Sequence, residues 1–231
     1  ELQKYYAEKY FQNSYSNYED EYSEEELKFF NNEIMYVYEA LKNTPSFAGG
    51  NFLDVGCGEG FALSFFKNKG FKVRGLDFSS EGIRSKNPDC IDDLVTGDLF
   101  HLLDEEIISG NTYDVIWLQN VLEHVINPVD LMHKIHKLIA TNGVAIIRVP
   151  NDFSIIQNEA LSAGLINQPF WVAVPDHLSY FDHHSLASIA ENTGWTVFDM
   201  LGDFPVDWFL FNEKANYIMD PSLGKSAYKA K

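Results

Sequence analysis

A glycine-rich turn that directly follows a short apolar segment is the feature that most constrains this fold. Residues 52–55 have the composition of a buried strand, and Gly56, Gly58 and Gly60 follow before a helical pattern begins at Phe61. Glycine lets the backbone turn tightly and approach a ligand closely. The G-x-G-x-G spacing departs from the dinucleotide fingerprint G-x-G-x-x-G, and the absence of a following Lys-Ser or Lys-Thr pair excludes a phosphate-binding P-loop.

Apolar segments of strand length recur along the chain and alternate with helical patterns. After the first strand, we predict others at residues 71–77, 94–95, 113–118, 144–149 and 195–201. This alternation indicates βαβ units, and near-continuous apolar strands are typical of parallel sheets buried on both faces. The sequence therefore predicts an α/β fold with a Rossmann-like, doubly wound, mainly parallel sheet, which binds ligands at the carboxyl ends of its strands.

Segments around this pattern complete the predicted organisation. Residues 1–46 are predicted to form an N-terminal helical and lid segment, residues 47–202 a ligand-binding domain, and residues 203–231 a C-terminal tail whose truncation is left open. Within the domain, residues 151–181 interrupt the regular pattern and are predicted to form a lid insertion after the fifth strand. A chain of 231 residues accommodates one such domain with a small appended lid.

The N-terminal segment carries one clear helix start. Ser23 followed three residues later by Glu26 fits a capping box, and an apolar stripe at helical spacing continues over residues 23–41. Tyr6 and Tyr10 precede this helix, and we predict that they fold over the bound ligand as a lid.

The net charge indicates which partners to exclude, and the cysteine content indicates the redox environment. The net charge of −17 repels a phosphate backbone and an anionic membrane surface, so we expect neither nucleic acid nor a membrane as a partner. The two cysteines, Cys57 and Cys90, form no disulfide framework or zinc motif. A reducing, cytoplasmic location is therefore expected.

Polar residues follow three further predicted strands. Asp77 ends the second strand, Asp98 follows the third, and Gln119-Asn120 follows the fourth. A carboxylate at the end of the second strand can accept hydrogen bonds from the hydroxyls of a ribose. Together with the glycine loop, these positions indicate a ligand that contains a nucleoside.

The segment from Asn51 to Asn151 resembles the class I S-adenosylmethionine (SAM)-dependent methyltransferases in the order of these motifs. The resemblance implies SAM as cofactor, S-adenosylhomocysteine as product, and a seven-stranded sheet whose last strand is antiparallel. It also implies that the loop wraps the methionine part of SAM, that Asp77 holds the ribose and that Asp98 with Leu99 contacts the adenine. The cofactor-binding residues predicted on this basis are Asp54, Gly56, Cys57, Gly58, Gly60, Phe61, Asp77, Phe78, Ser79, Asp98, Leu99 and Gln119.

Three short motifs are similar to a branch of small-molecule methyltransferases. They lie at residues 122–125, at residues 149–152 with Gln157, and at residues 177–181. This branch includes enzymes of ubiquinone biosynthesis and enzymes encoded among surface-polysaccharide genes, where sugar hydroxyls are methylated. The resemblance implies transfer of a methyl group to a hydroxyl of a sugar or of another hydroxylated metabolite.

A hydroxyl acceptor usually needs a general base or a metal. Histidine is suited to this role because its ordinary pKa lies near neutrality. We predict His177 as the base and His124 as the second choice, and we predict no metal, since Asp182 beside His183 and His184 is better explained as a helix cap. The predicted acceptor-binding residues are Asn120, Asn151, Asp152, Gln157 and Tyr180.

Alternatives remain open at this stage. The acceptor atom can instead be a nitrogen or a carbon of a small metabolite. The chain can also be a nucleotide-binding oxidoreductase or a non-catalytic SAM-binding partner in a complex. The expected partner is a small-molecule acceptor, sugar-linked in the leading interpretation, and the oligomeric state, including a homodimer, is undecided.

Overall fold

In the computed structural model, which describes residues 21–42, 44 and 50–229, the chain divides into two compact units. The first contains the chain up to Leu122 and resumes over Val129–Arg148. The second contains Glu123–Pro128 and the chain from Val149 onward. Tyr6 and Tyr10, on which the predicted lid depends, lie outside the described residues.

Among the described residues, five strands form one parallel sheet in the first unit, in the order β3-β2-β1-β4-β5. The strands are β1 (Asn51–Val55), β2 (Lys72–Asp77), β3 (Leu94–Thr96), β4 (Tyr113–Gln119) and β5 (Ile139–Arg148). The helices of this unit are α1 (Glu24–Lys42), α2 (Phe61–Asn68), α3 (Glu81–Lys86), α4 (Leu99–Ile108) and α5 (Pro128–Leu138). Only the first residue of α5, Pro128, is grouped with the second unit. The predicted α/β fold with a parallel, Rossmann-like sheet is confirmed.

The central strands are apolar because both faces of the sheet are covered. Phe52 of β1 and Phe66 of α2 are fully buried, and their rings stack with centroids 4.0 Å apart. Val115 and Ile116 of β4 are also fully buried, although their side chains point to opposite faces of the sheet. Burial on both faces explains why these strands show no alternation of polar and apolar residues.

The predicted capping box at the start of α1 is confirmed. Oε2 of Glu26 accepts a hydrogen bond from the backbone N of Ser23 at 2.8 Å, and Oγ of Ser23 accepts one from the backbone N of Glu26 at 3.3 Å. These reciprocal bonds satisfy two donors at the helix start and fix where the chain enters the helix. The buried side chains Ile34 and Leu41 then place α1 in the same core as α2.

The second unit has helices and loops around a small hydrophobic core. Its elements are α6 (Ile155–Ser162), α7 (His183–Asn192), 3₁₀ turns at Val206–Phe211 and Pro221–Leu223, and α8 (Gly224–Lys229). Ala160, Ile166, Trp171 and Leu210 form its buried cluster. The predicted helix start at Asp182 is confirmed, because its carboxylate accepts a hydrogen bond from the backbone N of Ser185.

The predicted sixth strand at residues 195–201 was wrong. This segment forms no strand, and Phe198 is 73% exposed. A strand requires a neighbour for its backbone N–H and C=O groups, and none of the described residues provides that ladder for this segment. The β-favouring side chains alone therefore did not determine the structure.

The described residues also contain no helix with both the length and the apolar character that a membrane span requires.

Candidate active site

The glycine-rich loop between β1 and α2 adopts a backbone conformation that residues with side chains rarely adopt. Gly56, Gly58 and Gly60 have φ angles of 71°, 53° and 77°. A Cβ atom at position 56 would lie 2.5 Å from Cγ2 of Val121, and one at position 60 would lie 2.9 Å from Cγ1 of Ile83. Both the backbone angle and the available space therefore require glycine, and the loop offers bare backbone to a ligand.

Two carboxylates lie at the ends of the strands beside this loop. Oδ2 of Asp77 accepts a hydrogen bond from the backbone N of Gly58 at 2.8 Å, and its Oδ1 accepts one from Ser79 at 3.0 Å. Asp54 is buried, and this burial, together with the nearby charge of Asp77, raises the pKa of Asp54 to about 8. A carboxylate has lone pairs for about four hydrogen bonds, so Asp77 can hold the loop and still accept from ribose hydroxyls.

The other predicted cofactor residues lie at the carboxyl ends of neighbouring strands. β3 pairs in register with β2 as far as Asp77, and Asp98 and Leu99 follow β3 at the same edge of the sheet. Oδ1 of Asp98 accepts a hydrogen bond from the backbone N of His101 and so caps α4. Gln119 ends β4, the strand on the other side of β1. The remaining predicted residues of this unit are buried or half-buried: Cys57, Phe61, Phe78 and Ser79.

Three residues that sequence reasoning missed also hold the loop in place. A Cβ atom on Gly82 of α3 would lie 2.5 Å from the backbone O of Gly58. Nδ2 of Asn87 donates a hydrogen bond to the backbone O of Glu59 at 2.7 Å, and the hydroxyl of Tyr22 donates one to Oε2 of Glu59 at 2.9 Å. Gly82 was detectable in principle as a glycine inside a short helix pattern, whereas the other two carry no local signal.

These features fit the SAM implied by the sequence. The loop must have glycine at positions 56 and 60, where a Cβ atom would collide with Val121 or Ile83, and it therefore presents backbone without side chains. The carboxylate at the end of β2 is a hydrogen-bond acceptor suited to a ribose diol. Gly56 to Gly60 would hold the amino-acid part of the cofactor, Asp77 its ribose, and Asp98 with Leu99 its adenine.

A pair of histidines forms a second polar cluster, within the second unit. The ring centroids of His124 and His177 lie 4.8 Å apart in an edge-to-face arrangement. Nδ1 of His124 lies 2.8 Å from the backbone O of Asp176. A carbonyl can only accept, so Nδ1 carries the proton and Nε2 is the basic nitrogen. Burial lowers the pKa of both histidines, and both are therefore neutral at pH 7.

A buried carboxylate adjoins these histidines. Oε1 of Glu123 lies 3.9 Å from Nε2 of His124, and neither carboxylate oxygen of Glu123 has a hydrogen-bond partner among the described residues. Burial raises the pKa of Glu123 to about 7. The backbone O of Glu123 accepts hydrogen bonds from Leu178 and Ser179, and these bonds tie the chain around position 123 to the segment that carries His177.

The donor atoms of this cluster are also close enough to share an ion. One ligand atom each from Glu123, His124 and His177 lies within 4.8 Å of the others. Sequence patterns gave no sign of this grouping; the metal ligands considered from the sequence were Asp182, His183 and His184 together with His177. Asp182 caps α7, as the sequence predicted.

The predicted acceptor-binding residues fall into two groups. Asn120 and Asn151 are exposed, and Tyr180 is half-buried with its hydroxyl donating to the backbone O of His177 at 3.3 Å. Asp152 and Gln157 are buried and have partners within the second unit. Oδ2 of Asp152 accepts a hydrogen bond from the backbone N of Phe181. Nε2 of Gln157 donates to Oδ2 of Asp207, and Oε1 of Gln157 accepts from the backbone N of Ser154.

The chain matches the family model described as "Methyltransferase domain" over residues 31–199. It is 32% identical to a ubiquinone biosynthesis O-methyltransferase from Burkholderia multivorans over 98 residues, which are 42% of each chain. A protein of the same name from Rickettsia bellii is 25% identical over 175 residues, covering 73% of this chain and 71% of that one. The alignment thus spans less than half the length of the Burkholderia relative.

Among solved structures, a SAM-dependent methyltransferase from Archaeoglobus fulgidus aligns with a TM-score of 0.56 at 16% identity and covers 86% of each chain. A structural similarity at this low sequence identity shows that the two proteins share a fold and nothing more specific. The family model covers well over half of the chain and includes the glycine loop and the polar strand ends. The chain therefore belongs to the class I SAM-dependent methyltransferases, and its cofactor is SAM.

Proposed function

We propose that this protein transfers the methyl group of SAM to a hydroxyl of a small acceptor, either a sugar or another hydroxylated metabolite, with a histidine as general base. The observation that carries the proposal is the bond between Nδ1 of His124 and the backbone O of Asp176, which leaves Nε2 as the basic nitrogen. The O-methyltransferase names of the relatives from Burkholderia and Rickettsia support an oxygen acceptor.

An oriented neutral imidazole is useful chiefly to a hydroxyl acceptor. A neutral amine already has a lone pair for attack on an activated methyl, whereas a hydroxyl must lose its proton as it reacts. When bound, SAM supplies a methyl group that its sulfonium has already activated. The protein must therefore align the acceptor, exclude water and remove one proton.

The proposed proton transfer uses two neighbouring residues. Nε2 of His124 would accept the proton that the acceptor hydroxyl loses as the methyl group passes from sulfur to oxygen and S-adenosylhomocysteine is left as the product. The carboxylate of Glu123, 3.9 Å away, stabilises the imidazolium that results. His177 packs against the ring of His124 and limits its rotation. This order reverses the expectation that His177 is the first choice. In the described part of the chain, Nδ1 of His124 has a partner that fixes its tautomer, and Nδ1 of His177 has none.

We retain Asn120, Asn151 and Tyr180 as predicted contacts to the acceptor. Asp152 and Gln157 are expected to act through the fold of the second unit, because their polar atoms already bind Phe181, Ser154 and Asp207. The domain boundaries at residues 46 and 202 and a cytoplasmic location also stay predictions. N- or C-methylation is the remaining enzymatic alternative, since family membership disfavours an oxidoreductase.

Release of S-adenosylhomocysteine with a panel of acceptors tests the proposal. The panel contains free and nucleotide-linked sugars, catechol, and primary amines of similar size. We expect turnover with at least one hydroxyl acceptor and loss of that turnover in His124→Ala. Methylation of amines alone, or of no acceptor despite SAM binding, would favour the N-methyltransferase or the non-catalytic alternative.

A further inference from the structure

The glycine loop is held from outside by a residue that lies 37 positions earlier in the chain. The hydroxyl of Tyr22 donates a hydrogen bond to Oε2 of Glu59 at 2.9 Å. Glu59 stands between Gly58 and Gly60 and is only 8% exposed, so its side chain is part of the packing around the loop.

Several contacts fix the position of Tyr22. The capping box of Ser23 and Glu26 sets the chain direction one residue later. The Tyr22 ring packs edge-to-face against Phe30 and Phe61, with centroids 5.1 Å and 5.9 Å away. Nζ of Lys86 lies 4.9 Å from the centre of the same ring. The hydroxyl is thus presented to Glu59 by a pre-formed arrangement rather than by a mobile side chain.

Glu59 is held at two points by two different elements. Its backbone O accepts a hydrogen bond from Asn87, just after α3, and its carboxylate accepts the one from Tyr22, just before α1. The neighbouring glycines have left-handed φ angles. Because glycine has no side chain, it can also adopt many other backbone angles. External contacts must therefore limit the conformations of the loop before the cofactor binds.

We propose that Tyr22 is a positioning residue for SAM: through Glu59, it holds the glycine loop in the conformation that receives the cofactor. An unrestrained loop must lose conformational entropy on binding, and a restrained loop has already lost it. Tyr22 itself need not touch SAM. The inference rests on the cofactor and is independent of which acceptor is methylated.

The main test is calorimetric binding of SAM and of S-adenosylhomocysteine to Tyr22→Phe. We expect both dissociation constants to rise about 3- to 10-fold, a change that corresponds to the loss of one ordinary hydrogen bond. At saturating SAM, kcat with any accepted acceptor should change by less than about twofold, since the loop is then filled. Tyr36→Phe is the matched control, because Tyr36 lies on α1 and is 61% exposed.

A double-mutant cycle shows whether Tyr22 acts through Glu59. Tyr22→Phe combined with Glu59→Ala should bind S-adenosylhomocysteine no more weakly than Glu59→Ala alone, because both changes remove the same bond. Glu59→Gln keeps an acceptor oxygen and should lose less affinity than Glu59→Ala. Unchanged affinity in Tyr22→Phe, with only a lower Tm of the unliganded protein, would show a purely structural role and overturn the proposal. Fully additive losses in the cycle would also overturn it.

Discussion

Nδ1 of His124 donates a hydrogen bond to the backbone O of Asp176 at 2.8 Å, across 52 positions of the chain. This bond determines which nitrogen of the ring can accept a proton, and it does so with a backbone atom that a mutation of Asp176 would not remove. The buried carboxylate of Glu123 lies 3.9 Å from the other ring nitrogen, Nε2. A side chain fixed in this way is suited to proton transfer, and its removal should affect the chemical step.

The first prediction concerns the two histidines. His124→Ala should lower kcat by about 10²- to 10⁴-fold, the range for loss of a general base, while the Kd for SAM stays close to that of the unchanged protein. His177→Ala should have a smaller effect, because it loosens the packing around His124 but leaves the bond to Asp176. Steady-state kinetics with an accepted hydroxyl substrate gives kcat for each variant, and calorimetry gives its Kd for SAM. Together they distinguish a loss of the base from a loss of packing.

His183→Ala is the matched control for these variants, because His183 is an exposed histidine at the start of α7. Its kcat should be unchanged. Full activity of His124→Ala with a large loss in His177→Ala would restore His177 as the base. Full activity in both variants would remove a histidine base from the mechanism.

The second prediction concerns pH. Burial lowers the pKa of His124 below its ordinary value of 6.5, because the charged imidazolium loses hydration. The base is active when neutral, but the carboxylate of Glu123 beside it has a pKa of about 7 and titrates in the same range. In Glu123→Gln, which removes that titration, kcat/KM should stay on its plateau as the pH falls to 6.5 and decline only at lower pH. The profile should be measured with an acceptor whose own hydroxyl does not titrate in this range. A decline that begins above pH 6.5 would contradict the lowered pKa.

The sequence allowed the first unit to be predicted more fully than the second, for a physical reason. Glycines at positions 56, 58 and 60 are needed for local backbone angles, and β1 and β4 are continuous apolar runs because they are buried on both faces. Such requirements are written in adjacent residues. The approach of His124 to His177 and that of Tyr22 to Glu59 depend on tertiary packing, which leaves no periodic pattern.

The error at residues 195–201 has a related cause. Val197 and Phe198 favour a strand locally, but strand formation depends on a neighbouring chain, and these side chains are 37% and 73% exposed in the structure. Local propensity showed that this segment could form a strand. It could not show whether another strand lies beside it among the described residues.

The third prediction concerns metal ions. If His124 acts as a base, treatment with EDTA should leave kcat unchanged. Excess Zn²⁺ should inhibit, because imidazole nitrogens and a carboxylate within 4.8 Å of one another are ligands that zinc favours. His177→Ala should weaken that inhibition by removing one ligand. Loss of activity in EDTA that Mg²⁺ restores would instead indicate that a cation activates the acceptor hydroxyl.

The fourth prediction concerns Gly82 of α3, which packs directly against the glycine-rich loop. A Cβ atom there would lie 2.5 Å from the backbone O of Gly58 and 3.1 Å from the backbone N of Glu59. Backbone atoms cannot rotate away as a flexible side chain can, so Gly82→Ala must displace either α3 or the loop. We expect the Kd for SAM to rise at least about tenfold and the free energy of unfolding to fall by about 1–3 kcal/mol, as in other overpacked sites.

Gly224→Ala is the control for this variant. Gly224 has helical angles, with φ of −55°. Apart from its chain neighbours and its own helix backbone, no atom of the described residues lies within 4 Å of the position of its missing Cβ. Alanine should therefore be neutral or stabilise the protein by up to about 1 kcal/mol, and SAM binding should not change. Calorimetry and thermal unfolding of both variants decide the matter. If Gly82→Ala bound SAM as tightly as Gly224→Ala, the close packing of α3 on the loop would have no part in shaping the cofactor site.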